Sequence, residues 1–261
     1  MATLSNEDIK RELGENIFIH PFKMDEVKGG SINLTASKLG WSLKTKNSIY
    51  DHGKSCLIIP ANDTALVETE ETLYVTDKIC GTYHSKVALV SQGIGHIGTT
   101  LDPEWIGPSL IALHNRSDDA IEIKVGKSFV SIMFHYLKTP STARNTNYAG
   151  RPELLNNYNL TQDEKDWLDE DWRSHHDKLI EKMKSNTDYK QLQSQIVSKW
   201  SWASGGLAKN IYLFAICLMS IFVFYKYKQE WGLEPKDFLV PIIAAYLAGT
   251  ATQLLTKSSS S

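Results

Sequence analysis

The sequence predicts a mainly β domain, a barrel or jelly roll, followed by an α-helical stalk and two transmembrane helices. Three observations predict this. Between Ser31 and Tyr136 short apolar or alternating runs (SINLTA, SCLIIPA, TALVETE, TLYVT, SKVALVS, SLIALHN, AIEIKV, SFVSIMF) recur between Gly, Asn and Asp clusters, with no helical period among them. From Thr161 onward apolar residues return at helical spacing. Towards the C-terminus two runs, Ile211 to Tyr225 (IYLFAICLMSIFVFY) and Phe238 to Leu255 (FLVPIIAAYLAGTATQLL), carry no charged residue. At ~1.5 Å per residue they reach roughly 22 and 27 Å, and Leu207 with Ala208 extends the first toward the thickness of a bilayer core if Lys209 snorkels to the interface.

The first element is a short helix over Ser5 to Leu13 (SNEDIKREL), with Ser5 as N-cap, Asp8 answering it as in a capping box, and Gly14 as the stop. The β-rich stretch follows. Residues Lys138 to Asn157 (KTPSTARNTNYAGRPELLNN) are rich in Pro, Thr, Asn and Gly and read as a long irregular, candidate functional loop. Thr161 to Glu164 (TQDE) is a second capping box. It opens a helix that places Trp167, Leu168, Trp172, Leu179, Ile180 and Met183 toward one side. A further helix is expected from about Tyr189 to Trp200, and Gly205 with Gly206 reads as a hinge at a bilayer surface. The domains expected are therefore 1–155, a β domain; 156–203, a helical stalk; and 204–257, a transmembrane hairpin.

Composition narrows the function classes. The 261 residues are 42% hydrophobic and 22% charged with a formal net charge of −2, and Lys and Arg are interleaved with Asp and Glu along the chain. A nucleic-acid surface needs a basic stripe, so that class is set aside. Cys56, Cys80 and Cys217 form no CxxC pair, which indicates neither a disulfide framework nor a zinc site. Met1 to Arg11 is polar and shows no signal-peptide core. The soluble part reads as cytoplasmic, attached to a multi-pass membrane segment whose ends carry Trp200, Trp202, Lys209, Tyr225, Lys226, Trp231 and Lys257 as interface anchors. Lysines lie on both sides of the runs, so orientation rests on the nature of the domain rather than on charge.

Two clusters invite a chemical reading. His175, His176 and Asp177 contain metal-ligand residue types, but adjacent helical residues point about 100° apart, so no metal is assigned there. Asp102 lies in TTLDPEWIGPSLIALHN, where a Pro-containing turn and Gly107 separate two apolar strands. Its carboxylate is thus held at a hairpin corner, where it can orient a water or accept a bond from a sugar hydroxyl.

These residues carry a resemblance. From Leu4 to Leu155 the chain resembles the dCTP deaminase and dUTPase superfamily of trimeric β-barrels or distorted jelly rolls. SNEDIKREL, IFIHPF and SINL are similar to the deaminase N-terminus with its Ser-x-Asp-Leu motif. TLDPEWIGPSLIALHN is similar to its Asp-Pro-x-Trp-x-Gly hairpin, GKSFVSIMF to a late barrel strand, and NYAG to the segment that closes over the nucleotide. The resemblance implies a deoxynucleoside triphosphate at a site shared between subunits of a homotrimer, with Mg2+ carried on its phosphates. It places His84, Ser85 and Lys86 at the phosphates, Asp102 at the deoxyribose and attacking water as the candidate catalytic residue, Tyr148 in the closing segment, and Arg151 where a deaminase presents Gln.

The departures bear on activity. The deaminase's proton-moving Glu, ten residues beyond the Asp102 equivalent, is Ala112 here, and the Arg four residues after the phosphate-motif Ser is Leu89. Neither can transfer a proton or hold a charge. Asn33 replaces the first-motif Asp, Ser131 stands where dUTPases tend to have Gln, and the Gly-rich dUTPase tail is absent. The resemblance therefore implies a membrane-anchored nucleotide-binding or nucleotide-sensing protein without deamination. An active dUTP or dCTP diphosphohydrolase, or a deaminase, tethered to the membrane is the alternative.

Overall fold

The computed structural model describes residues 2–96, 98–143 and 152–197. The chain divides into two compact units, Met1–Ser194 and Gln195–Ser261, and the first holds all the β-structure among the described residues. Among these residues no helix is long and apolar enough to cross a membrane. The two apolar runs expected to do so, Ile211 to Tyr225 and Phe238 to Leu255, lie outside the described residues, as do Tyr148 and Arg151.

Every pairing between strands among the described residues is antiparallel, and a single parallel bridge joins Leu13 and Ile17. The strands of its main path run in the order Thr100–Leu101, Ile79–Ser85, Ser128–Tyr136, Ser31–Ser42, Thr64–Val75, Ile106–Asn115, Ile94–His96. A smaller sheet joins Ile121–Lys124, Cys56–Ile59 and Tyr50–Asp51. Period-two patterning sets the faces: in Ile106–Asn115, Ser109, Ile111, Leu113 and Asn115 are buried while Leu110, Ala112 and His114 are half-buried on the opposite face. Leu34, Leu73, Phe129, Ile132 and Phe134 fill the interior.

The local signals produce the expected helix starts. Ser5 Oγ accepts the Asp8 N–H at 3.2 Å and Asp8 Oδ2 accepts the Ser5 N–H at 3.0 Å, opening the helix Asn6–Glu12. Thr161 and Glu164 repeat the arrangement at 3.3 and 2.8 Å before Gln162–Leu168. Each cap satisfies donors that a helix start leaves without partners, worth about 1 kcal/mol.

Three elements differ from expectation. TALVETE and TLYVT are one strand, Thr64–Val75, whose register with Ile106–Asn115 slips between Pro108 and Leu110. SKVALVS is no strand: after Ser85 it forms a helical turn, Val87–Val90, with Val87 82% and Val90 51% exposed. Its apolar residues find no sheet to cover, so the local pattern misleads. Ile79–Ser85, a strand unrecognised because Gly81 and polar residues interrupt it, lies between Ser128–Tyr136 and the short edge strand Thr100–Leu101.

Residues 156–203 are expected as a stalk, and the part of them up to Ser194 carries side chains that pack against the β-structure. After Gln162–Leu168 come a 3-10 turn, Asp171–Arg173, the helix His176–Ser185, and a helix from residue 187. Leu155, Arg173, Leu179, Met183 and Leu192 are buried. The Ile19 N–H meets Met183 Sδ at 3.4 Å, and the Met24 N–H donates to Asp188 Oδ2 at 2.8 Å. His176 stacks edge-on against Tyr74 and Phe18 with ring centroids 4.2 and 5.5 Å apart, which makes it a packing residue.

Candidate functional site

Asp102 stands at the mouth of a cleft of about 280 Å³ that also involves Tyr83, Thr100, Trp105, Ser109 and Leu154. Thr100–Leu101 pairs with Ile79–Ser85, and Ile106–Asn115 with Thr64–Val75 and Ile94–His96, so the hairpin expected at Asp102 is instead a turn between strands that do not pair with each other, and backbone bonds fix it. The Asp102 carbonyl accepts the Trp105 N–H at 3.2 Å, the Glu104 N–H donates to the Val75 carbonyl at 3.0 Å, and Glu104 and Gly107 take φ of +60° and +140°. Thr100 Oγ1 donates to Asp102 Oδ1 at 3.2 Å, which aims the exposed carboxylate along the cleft edge.

Leu101, Pro108, Leu110 and Ile111 give the cleft an apolar part, and its buried polar side chains are hydrogen-bonded. Tyr83 Oη and Ser109 Oγ lie 2.5 Å apart and buried. The Ser109 N–H donates to Thr69 Oγ1 at 2.9 Å, and that hydroxyl donates to the Glu71 carbonyl at 2.8 Å. Burial pushes the Tyr83 phenol well above its ordinary range, so it stays protonated and can serve as a hydrogen-bond donor.

The strand Ile79–Ser85 links this cleft to His84, Ser85 and Lys86. Thr100 pairs with Thr82 and Leu101 with Gly81, so Asp102 falls level with Cys80, four residues from His84. That separation is about 14 Å at ~3.4 Å per residue. At the far end Lys86 Nζ donates to Asn33 Oδ1 at 2.7 Å, Ser131 Oγ donates to the same oxygen at 2.8 Å, and Asn33 Nδ2 donates to Glu26 Oε2 at 2.9 Å. The structure thus brings together Asn33, Lys86 and Ser131, three positions that are far apart in sequence. His84 Nε2 lies 2.9 Å from Thr82 Oγ1.

Ala112 faces a different environment. It pairs with Leu66, and Leu66 pairs on its other side with Trp41. Leu66 and Leu110 pack with Leu39, Trp41, Leu155 and Trp167 in one apolar cluster. Opposite Leu110 stands Glu68, whose Oε1 is 2.5 Å from Arg173 Nη2 with both side chains 2% exposed. Trp167 Nε1 adds a bond to the same oxygen at 3.3 Å, and the Arg173 guanidinium lies over the rings of Trp167 and Trp172 at 4.9 and 5.3 Å. Burial drives the Glu68 carboxyl upward, opposed by Arg173 and Trp167. This carboxylate is structurally committed. Sequence reading missed the pair because its partners are 105 residues apart; the one local sign was the WLDEDWR pattern around Arg173.

Among the described residues no group of three or more His, Cys, Asp or Glu side chains converges on a metal position. Any magnesium at this site would have to be held mainly by ligand oxygens and water, with Asp102 as the carboxylate at hand.

Fold and cleft together define a mainly β domain of antiparallel sheets with a recess of mixed polar and apolar lining, bordered by the strand that carries His84 and is followed by Lys86. The dCTP deaminase-like family model matches residues 3–137, and the chain belongs to that family. The chain is 26% identical over 145 residues to the dCTP deaminase of Pyrococcus horikoshii, covering 55% of this chain and 92% of that one. It is 29% identical over 147 residues to that of Thermococcus kodakarensis, covering 55% and 92%. Among solved structures, 2'-deoxycytidine 5'-triphosphate deaminase from Agrobacterium tumefaciens aligns with a TM-score of 0.44 and 12% identity, covering 52% of this chain and 48%, about half, of that one. Native EIAV dUTPase aligns with a TM-score of 0.35 and 16% identity, covering 49% of this chain and 95% of that one.

Proposed function

We propose that this chain is a membrane-anchored member of the family that binds a deoxynucleoside triphosphate without deaminating it. The observation that carries the reading is Ala112. At the position where the resemblance places the proton-moving glutamate, the side chain is a methyl group beside Leu66. The neighbouring carboxylate on that face, Glu68, is engaged by Arg173 and Trp167. Among the described residues that face offers no uncommitted carboxylate beside Ala112 to carry protons to and from a ring nitrogen, and the imidazole there, His114, is bonded to Thr64 Oγ1 at 2.7 Å.

Binding itself remains well provided for. In this reading Asp102 accepts a hydrogen bond from a sugar hydroxyl, the Tyr83 and Ser109 hydroxyls line the recess, and His84, Ser85 and Lys86 meet the phosphates. The ~14 Å between the two ends, at ~3.4 Å per residue, is comparable with an extended nucleoside triphosphate. Magnesium enters as part of the ligand, held by its phosphates. The exposed Val87, Val90 and Leu154 beside the site support an assembly, a homotrimer in this reading, in which a second copy completes it. The uncharged runs Ile211 to Tyr225 and Phe238 to Leu255 supply a membrane hairpin, with the β domain on the cytoplasmic side.

The test is incubation of the detergent-purified chain with each deoxynucleoside triphosphate and magnesium, with chromatography of the products and thermal-shift measurement of binding. The expected result is ligand-dependent stabilisation, roughly 2 to 4 kcal/mol at 100 to 1,000 times the dissociation constant, with the nucleotide unchanged. A deaminated product would overturn the reading. A hydrolytic reading is favoured by one observation, the exposed Asp102 carboxylate oriented by Thr100 at the cleft edge, and pyrophosphate release would establish it.

A further inference from the structure

Two imidazoles share one hydroxyl on the sheet face that carries His84. Thr82 Oγ1 lies 2.9 Å from His84 Nε2 and 3.1 Å from His135 Nε2, and His135 Nδ1 lies 3.2 Å from Thr3 Oγ1. The elements that build this chain are neighbours in the sheet: Ser131 pairs with His84, Met133 with Thr82, and Thr3 with His135. His84 is exposed at the open end.

Proton counting constrains this arrangement. A threonine hydroxyl has one proton, so when it donates to one imidazole the other must donate its own N–H to the hydroxyl oxygen. One added proton is accommodated with every bond kept: His84 as imidazolium donates Nε2–H to Thr82, Thr82 donates to His135 Nε2, and His135 donates Nδ1–H to Thr3. A second added proton would set two cations around one oxygen and turn the hydroxyl proton away from both rings. Burial first, then His84 and the chain's amino terminus, depress the His135 pKa, which keeps that ring neutral. The other charged or titratable groups around His84 are Lys86, two residues on, Glu26 beyond Asn33, and Cys80 with Asp102 at the opposite end of the strand.

We propose that His84 is a proton-gated phosphate contact, taking up one proton as an anionic ligand arrives, and that His135, acting through Thr82, is the positioning residue that confines the charge to His84. This rests on the reading of His84, Ser85 and Lys86 as the phosphate segment. Where the resemblance implies an arginine, this chain carries an imidazole, a side chain that contacts a phosphate as a cation only when it holds a second proton. Nucleotide affinity is then linked to proton uptake, and binding strengthens as pH falls through the histidine range.

The experiment is titration calorimetry on the full chain in detergent at pH 7.5, using dCTP, dUTP and inorganic tripolyphosphate as probes, in buffers of different ionisation enthalpy. The expected result is a buffer-dependent heat equivalent to uptake of up to one proton, abolished in His84→Gln. The exposed position of His84 makes that a surface substitution which leaves the melting temperature unchanged. Thr82→Val is expected to shift the pH of half-maximal uptake while retaining affinity at pH 6; a merely structural role for the chain of bonds would lower affinity equally at every pH. Buffer-independent heat in the wild type, or the same uptake in His84→Gln, overturns the proposal while leaving nucleotide binding intact. Absence of binding by all three probes at pH 6 removes the phosphate-segment reading itself, and the proposal with it.

Discussion

Arg173 closes on Glu68 to 2.5 Å between side chains that are each 2% exposed, joining the helical segment to the middle of the sheet. The guanidinium Nε and Nη1 make no protein hydrogen bond and are covered by the faces of Trp167 and Trp172. Removing one partner of such a pair leaves the other charge buried without compensation. Arg173→Ala is therefore expected to cost about 3 to 5 kcal/mol, read from urea denaturation midpoints. Replacing both partners with apolar residues of similar volume, Arg173→Met with Glu68→Leu, should recover much of that loss; a double variant as unstable as the single would show that the ionic character is itself required.

Glu71 supplies a pH dependence with a definite sign. Burial raises its carboxyl to about 7, overriding the bonds donated by the Thr35 N–H and hydroxyl at 2.8 and 2.7 Å. The folded pKa lies above the unfolded one, so the folded state binds more protons in the interval between them. The stabilisation is fully present below about 4.5 and is lost as pH rises through about 7. Glu71→Gln removes this contribution, so between pH 5 and pH 8 the wild type should lose on the order of 2 kcal/mol more than the variant. Parallel stability curves for the two proteins would contradict the assignment.

Gly14 and Tyr189 form a second long-range dependency. Gly14 takes φ of +89°, and a Cβ placed there would lie 2.1 Å from Tyr189 Oη. Gly14→Ala is expected to destabilise by about 1 to 2 kcal/mol from backbone conformation alone, with a further cost from displacement of the tyrosine. In a Tyr189→Ala background only the conformational part should remain, a difference that a double-mutant cycle measures directly.

Asp102→Asn separates the two readings of the cleft. Asp102 is exposed and its side chain is bonded to Thr100, so the melting temperature should move little. Nucleotide affinity should fall by roughly tenfold, the value of about 1.4 kcal/mol for one charge-assisted bond. If the wild type releases pyrophosphate, the same variant should abolish that release.

The parts of the fold legible from sequence are those set by short-range chemistry. Ser5 with Asp8 and Thr161 with Glu164 act within a few residues and form as expected; the turn after Asp102 forms too, but the strands it joins pair elsewhere rather than as a hairpin. The Val87–Val90 turn was misread because an apolar run signals burial, and burial depends on what the rest of the chain places over it. The hydroxyl shared by His84 and His135, the Tyr83 contact with Ser109 and the Arg173 insertion all join residues from separate strands or segments. No spacing rule within one segment anticipates them. Ala112 was legible as a substitution, whereas its apolar surroundings required the register of Ile106–Asn115 against Thr64–Val75.

The cover over Trp41 and Leu39 has a consequence for how the protein can be divided. Residues 3–137 are the part matched to the family, yet Leu155, Trp167 and Arg173 lie beyond them and against their surface. A fragment cut at the family boundary would lay two fully buried apolar side chains open to water and strand the Glu68 carboxylate without its cation. The family-matched region is here not a detachable module. Its outer wall has become the interior of a larger body, and the smallest piece worth expressing by itself ends near Ser194.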